Sequence, residues 1–140
     1  MVDIHAAPYA LLLLRVALGG LFLAHASLKL FVFKPAGTVG FFRSLGLPGW
    51  LAYFTIAAEL AGGLALILGI WPRAAALALA PMMLGTIAMV HGKAGFFFDN
   101  PKGGWEYPAF WTLTLLVLAL AGDGAWALLP TQTLIHLLDL

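Results

Sequence analysis

Four long apolar stretches dominate the pattern of hydrophobic and polar positions along the chain. They cover about residues 9–31, 50–70, 73–91 and 107–121, and the last could continue toward residue 129. A membrane-spanning helix needs about 20 mostly apolar residues, and only helices or closed barrels can cross lipid. The stretches are too long and too continuously apolar for barrel strands. The pattern therefore predicts an all-α fold, a transmembrane four-helix bundle formed by a single domain over residues 1–140.

The composition agrees with a protein that lies in lipid. Hydrophobic residues make up 63% of the chain and charged residues 9%, whereas a soluble domain carries about a quarter charged residues. The formal net charge of +1 offers no electrostatic footprint for nucleic acid, so we expect a lipid bilayer and no nucleic acid as partner. The absence of cysteine excludes disulfides, thiolate metal sites and a cysteine nucleophile.

Glycines and loops refine the predicted bundle. Gly19-Gly20 and Gly62-Gly63 favour close packing, because small residues let membrane helices approach. The two long connections, over about 31–49 and 92–106, fall on one side of the membrane because the chain crosses twice between them. Five basic residues flank that side, and Arg73 stands on the other; the five are Lys29, Lys34, Arg43, Lys93 and Lys102. The positive-inside rule then predicts cytoplasmic long loops and outside termini.

Several ionisable residues fall at membrane depth, where charge is costly and usually faces the interior of a bundle. A helical rise of about 1.5 Å per residue places Lys29 and His91 within about 3 Å of the long-loop boundary. The same rise places His25 about 9 Å and Glu59 about 13 Å inside it. These depths predict a polar funnel that is widest at the long loops. Its candidate ligand-binding residues are His25, Lys29, Glu59, His91, Glu106 and Tyr107.

Arg15 and Asp123 both fall about 24 Å from the long-loop boundary, which makes them candidates for a structural ion pair. The alternative for Asp123, which lies in the motif GDG, is a turn residue at a helix end. Plain alternatives exist for the funnel residues: a lysine can extend to the head groups, and Glu106 can be a helix N-terminal charge. The histidines and acids have no ligand spacing within any one helix. We therefore expect no metal site, and the pattern assigns no catalytic residue.

The order of several short motifs carries a family resemblance. They are R-x3-GG-x-F-x2-H-x3-K from Arg15 to Lys29, ELAGGLALILG from Glu59, the pair Pro72-Arg73, HGKAGFF from His91, GGWEYP from Gly103 and GDG from Gly122. In this order and spacing the chain resembles the DoxX family of small bacterial four-helix membrane proteins. The resemblance covers about residues 9–128 and implies a multi-pass protein of the bacterial inner membrane.

The resemblance also implies a connection with quinones. DoxX-like proteins take their name from a subunit of an archaeal terminal quinol oxidase, and a related subunit belongs to a thiosulfate:quinone oxidoreductase. Others are associated with resistance to quinones, catechols and thiol oxidative stress. The family positions that map onto this chain are Arg15, Lys29, Glu59, Glu106 and Tyr107, and the resemblance supplies no catalytic role for them.

Three functional hypotheses remain open at this point. In the first, a quinone or similar lipophilic compound binds in the funnel, with His25, Lys29 or Tyr107 as hydrogen-bond donor and Glu59 exchanging protons with Glu106. The chain has no evident electron carrier, so catalysis would need an oxidoreductase partner subunit. In the second, the protein is a non-enzymatic assembly or anchoring subunit. In the third, it is a small proton-coupled transporter, which would require a homodimer.

Overall fold

The computed structural model describes residues 3–138, and helices form almost all of its regular structure. Helix α1 covers Ala7–Ser27 and continues as a π-helical turn, Leu28–Val32; α2 covers Lys34–Ser44 and α3 covers Trp50–Leu68. Helix α4 covers Pro72–Thr86 and continues through a π-helical turn, Ile87–His91, and a 3₁₀ turn, Gly92–Ala94. Helices α5 and α6 cover Glu106–Ala121 and Thr131–Leu137. The predicted all-α fold class is confirmed.

Three of these helical stretches are long and apolar enough to cross a membrane. They are Ala7–Val32, Trp50–Leu68 and Pro72–Ala94. Helix α5 is a shorter apolar helix of 16 residues, which corresponds to about 24 Å of length. It ends at Ala121 and does not continue toward residue 129, because Gly122 and Gly124 adopt positive φ angles of 130° and 79°.

The core lies between two pairs of packed helices, α1 with α3 and α4 with α5. Phe22, Leu66, Leu115 and Leu118 are fully buried there. Large apolar side chains also cover the outside of the bundle; they include Leu13, Phe54, Leu77, Leu113 and Leu120. A soluble protein rarely exposes so extensive an apolar surface, so this outer surface is suited to contact with lipid.

Helices α1 and α3 are in close contact at a pair of glycines, Gly19 and Gly63. A Cβ atom built on Gly19 would lie 2.6 Å from the carbonyl oxygen of Gly63 and 2.7 Å from a side-chain carbon of Ile67. A Cβ atom on the neighbouring Gly20 would meet nothing within 4 Å. Gly19 therefore sets the separation of the two helices, whereas Gly20 faces outward.

Main-chain hydrogen bonds tie together the end of the bundle that carries the short α3–α4 turn, which we call the short-loop end. The Trp71 N–H donates to the Leu129 carbonyl at 2.7 Å, and the Leu129 N–H donates to the Gly69 carbonyl at 3.0 Å. The Ala125 N–H donates to the Pro8 carbonyl at 2.8 Å. The opposite end, the long-loop end, carries α2, the two π-helical turns and the loop before α5.

Candidate functional site

A cavity of about 390 Å³ opens at the long-loop end of the bundle. We call it the inner cavity. Five of the six residues predicted to line a polar funnel border it: His25, Lys29, Glu59, His91 and Tyr107. Its other lining residues are Met83, Thr86, Phe98, Gly103, Gly104, Pro108 and Trp111. The inner cavity therefore collects polar side chains from α1, α3, α4 and α5, and the loop before α5 contributes one phenylalanine and two glycines.

Lys29 and Glu59 form an ion pair at this cavity. The Lys29 Nζ atom lies 2.6 Å from Oε1 and 2.8 Å from Oε2 of Glu59, so both carboxylate oxygens accept from one ammonium group. The side chain of Lys29 is 19% exposed and that of Glu59 is 7% exposed. Lys29 belongs to the π-helical turn that ends α1, and such turns frequently occur at functional sites.

His91 is the last residue of the second π-helical turn, which ends α4. Its Nδ1 atom lies 2.9 Å from the carbonyl oxygen of Gly103. A carbonyl can only accept, so Nδ1 carries a hydrogen, and in the neutral ring Nε2 is then an acceptor. This hydrogen bond joins the end of α4 to the loop that precedes α5.

Trp111 forms an aromatic wall of the cavity and was not among the predicted site residues. Its ring centroid lies 4.6 Å from that of Phe22, 5.1 Å from that of His25 and 5.7 Å from that of Tyr107. The indole N–H is buried and has no hydrogen-bond acceptor within residues 3–138. Its position, four residues after Tyr107 on the same face of α5, is the signal that could have identified it.

The loop over residues 95–105 closes over the cavity in a tightly constrained form. Its ends meet where the Trp105 N–H donates to the Gly95 carbonyl and the Glu106 N–H donates to the Phe96 carbonyl, each at 3.0 Å. A Cβ atom on Gly104 would overlap the Phe97 carbonyl oxygen, so only glycine fits there. This packing holds the Phe98 side chain at the border of the cavity.

Glu106 does not line the inner cavity, and this corrects the prediction that it belongs to one funnel with Glu59. Its Oε1 atom accepts the backbone N–H of Phe98 at 2.8 Å, which turns the carboxylate toward the loop. There it borders a second pocket of about 410 Å³, the outer groove, together with Phe96, Phe98, Tyr107 and Phe110. The side chains of Phe98 and Tyr107 border both spaces.

Arg15 and Asp123 meet at the short-loop end, but through the main chain. The buried guanidinium donates from Nη1 to the carbonyl oxygen of Asp123 at 2.7 Å and from Nη2 to that of Ala125 at 3.1 Å. The Asp123 carboxylate instead accepts from the backbone N–H of Thr131 at 2.9 Å and from the Thr131 hydroxyl. The predicted pair of side chains is therefore corrected, because Asp123 uses its carboxylate at the start of α6.

Histidine and acidic side chains, which could bind a metal, do not cluster in the described part of the chain. Within residues 3–138, no group of three or more His, Asp or Glu side chains lies close enough to hold a metal ion. The chemistry of the inner cavity is thus that of one ion pair, two histidines, a phenol and aromatic faces.

The fold and the cavity define a class: a small helical-bundle membrane protein with a polar cavity inside an apolar bundle. Comparison with known proteins identifies the family within this class. The family model DoxX matches residues 10–92, and the chain belongs to the DoxX family.

Two relatives match most of the chain. One is a protein of Bacillus subtilis (strain 168) named "Putative oxidoreductase CatD", which is 37% identical over 119 residues, covering 85% of this chain and 84% of that protein. Another is a protein of Haemophilus influenzae (strain ATCC 51907 / DSM 11121 / KW20 / Rd) named "Uncharacterized protein", 33% identical over 123 residues, covering 86% of this chain and 89% of that protein. No solved structure matches the chain significantly.

Proposed function

We propose that the protein binds a quinone, or a similar lipophilic aromatic carbonyl compound, in the inner cavity and takes part in membrane redox chemistry. The observation that carries this proposal is the Lys29–Glu59 ion pair, which borders an aromatic-walled cavity inside an apolar bundle. Ligand pockets typically have volumes of about 300–1,000 Å³ and combine apolar walls with a few polar groups. The volume of about 390 Å³ falls in that range.

The lining residues fit both the aromatic ring and the oxygen atoms of such a ligand. Trp111 and Phe98 offer aromatic surface to a planar ring, and Met83 offers a flexible apolar contact. A carbonyl oxygen needs a hydrogen-bond donor, and the ammonium group of Lys29 and the hydroxyl of Tyr107 are donors. A hydroxyl on the reduced form needs an acceptor, which the Glu59 carboxylate supplies.

Proton exchange with the ligand would involve the titratable groups that border the same cavity. These are the Lys29–Glu59 pair, His25, His91 and Tyr107. Glu106 is not on this route, because its carboxylate borders the outer groove. When bound, a quinone supplies two-electron acceptor chemistry, while the side chains around it hold its oxygen atoms and exchange protons with them.

A redox role is supported by the name of the Bacillus subtilis relative, "Putative oxidoreductase CatD". We propose that electrons come from a partner oxidoreductase subunit, because the sequence shows no electron carrier. The proposed setting is the bacterial inner membrane, as part of an oxidoreductase system or of resistance to quinones and oxidative stress.

The test is equilibrium binding of a short-chain ubiquinone and its quinol to the purified protein in nanodiscs. We expect saturable binding that Lys29→Met and Tyr107→Phe each weaken about tenfold, which corresponds to the loss of one charge-assisted or neutral hydrogen bond. The matched control is Lys93→Met, which removes an exposed lysine from the same end of the bundle. Tyr107→Phe removes only a hydroxyl from a half-exposed side chain, so its effect is not a consequence of unfolding.

Absence of saturable binding to the folded wild-type protein would contradict the proposal. The protein would then be better described as an anchoring subunit, if it co-purifies with a second protein. Proton-coupled uptake by a homodimer in liposomes would instead indicate a transporter. Unchanged affinity in both cavity variants would show that a quinone binds elsewhere.

A further inference from the structure

The outer groove holds a carboxylate that no basic side chain neutralises. Within residues 3–138, Lys29 and Glu59 form an ion pair, whereas Glu106 forms none with a lysine or arginine. Its Oε1 atom accepts the Phe98 N–H, whereas Oε2 has no hydrogen-bond partner in the described part of the chain. Glu106 lies in the first turn of α5, where the helix dipole favours a carboxylate, and the free oxygen remains available to a cation from outside the chain.

Aromatic side chains form the rest of the groove. Phe96, Phe98, Tyr107 and Phe110 surround Glu106 in a space of about 410 Å³. Tyr107 and Phe110 follow Glu106 on α5 at spacings that bring all three to one side of the helix. The groove is thus an open box that consists of one acid and four aromatic rings.

The aromatic box is held in place before any ligand arrives. The Phe96 ring packs edge-on against Trp105 at 4.8 Å and against Phe97 at 5.2 Å between ring centroids. Its main chain accepts the Glu106 N–H at 3.0 Å. Ligand binding therefore requires little ordering of this wall, which favours affinity.

We propose that the outer groove binds the ammonium headgroup of an amphiphile. Aromatic faces attract cations that carry little hydration, and alkylammonium groups are the ligands that aromatic boxes commonly recognise. A single carboxylate supplies too few oxygen ligands for Ca²⁺ or Mg²⁺. The same carboxylate repels anions, so charge and wall chemistry together select an organic cation.

The surface beside the groove accounts for the apolar part of this ligand. Phe110, Leu113 and Val117 are exposed and follow one another along a single face of α5. This apolar stripe leads from the groove along the lipid-facing side of the helix. An alkyl chain attached to the headgroup would lie along it, within the bilayer, so the ligand is an amphiphile and not a freely soluble cation.

The test uses dodecyltrimethylammonium as the probe and the full-length protein in dodecyl maltoside micelles, which contain no ammonium group. Saturation-transfer NMR on the N-methyl protons measures binding. We expect saturable binding, with affinity reduced at least about tenfold by Glu106→Gln and about threefold to tenfold by Phe110→Leu. Glutamine keeps an oxygen that can accept the Phe98 N–H, and Phe110 is exposed, so neither change disturbs the core.

Two comparisons identify the chemistry of the ligand. Dodecanol, which has the same chain without charge, should not displace the probe, and tetramethylammonium, which has the headgroup without the chain, should bind more weakly. Asp99→Asn, which removes an exposed carboxylate from the same loop, should leave the affinity unchanged. Displacement by dodecanol, an equal loss in Asp99→Asn, or wild-type affinity in both groove variants would overturn the proposal.

This inference is independent of quinone binding in the inner cavity. Glu106→Gln should leave the quinone affinity within about twofold of the wild type, because Glu106 does not border that cavity. Lys29→Met should likewise leave binding of dodecyltrimethylammonium unchanged. Each proposal can therefore fail without the other.

Discussion

The Nζ atom of Lys29 lies within 2.8 Å of both carboxylate oxygens of Glu59. This ion pair joins the π-helical end of α1 to the middle of α3 and places a compensated pair of charges beside a cavity in an apolar bundle. Removing one member leaves the other with little water to solvate it, and such an uncompensated charge is strongly destabilising.

The first prediction concerns the interdependence of these two residues. We expect Lys29→Met alone and Glu59→Gln alone each to lower the free energy of unfolding by about 2–4 kcal/mol. The double variant should lose less than the sum of the two. Unfolding in mixed micelles with increasing dodecyl sulfate measures the cycle, with Asp99→Asn as the control. Additive losses would show that the pair does not act as a unit.

A second prediction tests the close approach of α1 and α3. Gly19→Ala should lower stability by about 1–3 kcal/mol, because the new methyl group would overlap the Gly63 carbonyl and Ile67. Gly20→Ala is the matched control on the adjacent position, and it should be neutral or slightly stabilising because alanine favours helix. The same unfolding assay applies. Equal effects of the two substitutions would contradict the helix arrangement described above.

The third prediction distinguishes main-chain from side-chain recognition at the short-loop end. Arg15→Lys should cost about 2–4 kcal/mol, because an ammonium cannot span the carbonyls of Asp123 and Ala125 as the guanidinium does. Asp123→Asn should cost only about 1 kcal/mol, since the amide oxygen still accepts from Thr131. A loss in Asp123→Asn as large as that in Arg15→Lys would favour a direct ion pair instead.

A fourth prediction concerns the loop that closes the inner cavity. Gly104→Ala should displace the loop, because a methyl group has no space beside the Phe96 and Phe97 carbonyls. We expect quinone affinity to fall about tenfold while helical circular dichroism stays unchanged. Gly85→Ala, where a methyl group meets nothing within 4 Å, is the control. Wild-type affinity in Gly104→Ala would show that the loop does not shape the site.

The fifth prediction is the orientation in the membrane. Lys34, Arg43, Lys93 and Lys102 flank the long-loop end, whereas Arg73 lies at the other end, so the long loops should face the cytoplasm. Because the chain has no cysteine, a single Lys93→Cys or Trp126→Cys variant gives a clean label. A membrane-impermeant maleimide applied to intact cells should label Trp126→Cys only. Labelling of Lys93→Cys alone would reverse the assignment.

The hydrophobic pattern was sufficient to predict the four apolar helices α1, α3, α4 and α5, but not the short helices α2 and α6, nor which side chains come into contact. Depth along each helix placed Glu59 about 10 Å deeper than Lys29, yet the two side chains meet. A one-dimensional depth estimate takes no account of helix tilt or of the reach of a lysine. The adjacent glycines Gly19 and Gly20 illustrate the same limit of sequence-based prediction. The sequence does not distinguish them, and only the packing of the helices shows that Gly19 faces α3.

The two corrected predictions share a physical cause. Glu106 was expected to line one funnel with Glu59, and Asp123 was expected to pair with Arg15. Both carboxylates instead accept backbone N–H groups from nearby residues, Phe98 and Thr131. A short carboxylate beside a loop finds local donors at little entropic cost. Sequence spacing shows which acidic residues lie at a helix end. The path of the neighbouring loop determines which hydrogen-bond donor each carboxylate contacts.

Main-chain hydrogen bonds join different segments at the two ends of the bundle, and this difference affects how the helices can move. At the short-loop end, hydrogen bonds anchor the segment around Ala125 and Leu129 both to the start of α1 and to the α3–α4 turn. At the other end, main-chain hydrogen bonds join the loop after α4 to the start of α5, whereas α1 is joined to α3 by the Lys29–Glu59 ion pair. We expect the bundle to move mainly at its long-loop end. The hydrogen bonds at the short-loop end keep the helices in register, while α1 and α3 move relative to α4 and α5 at the long-loop end to admit or release a ligand of the inner cavity.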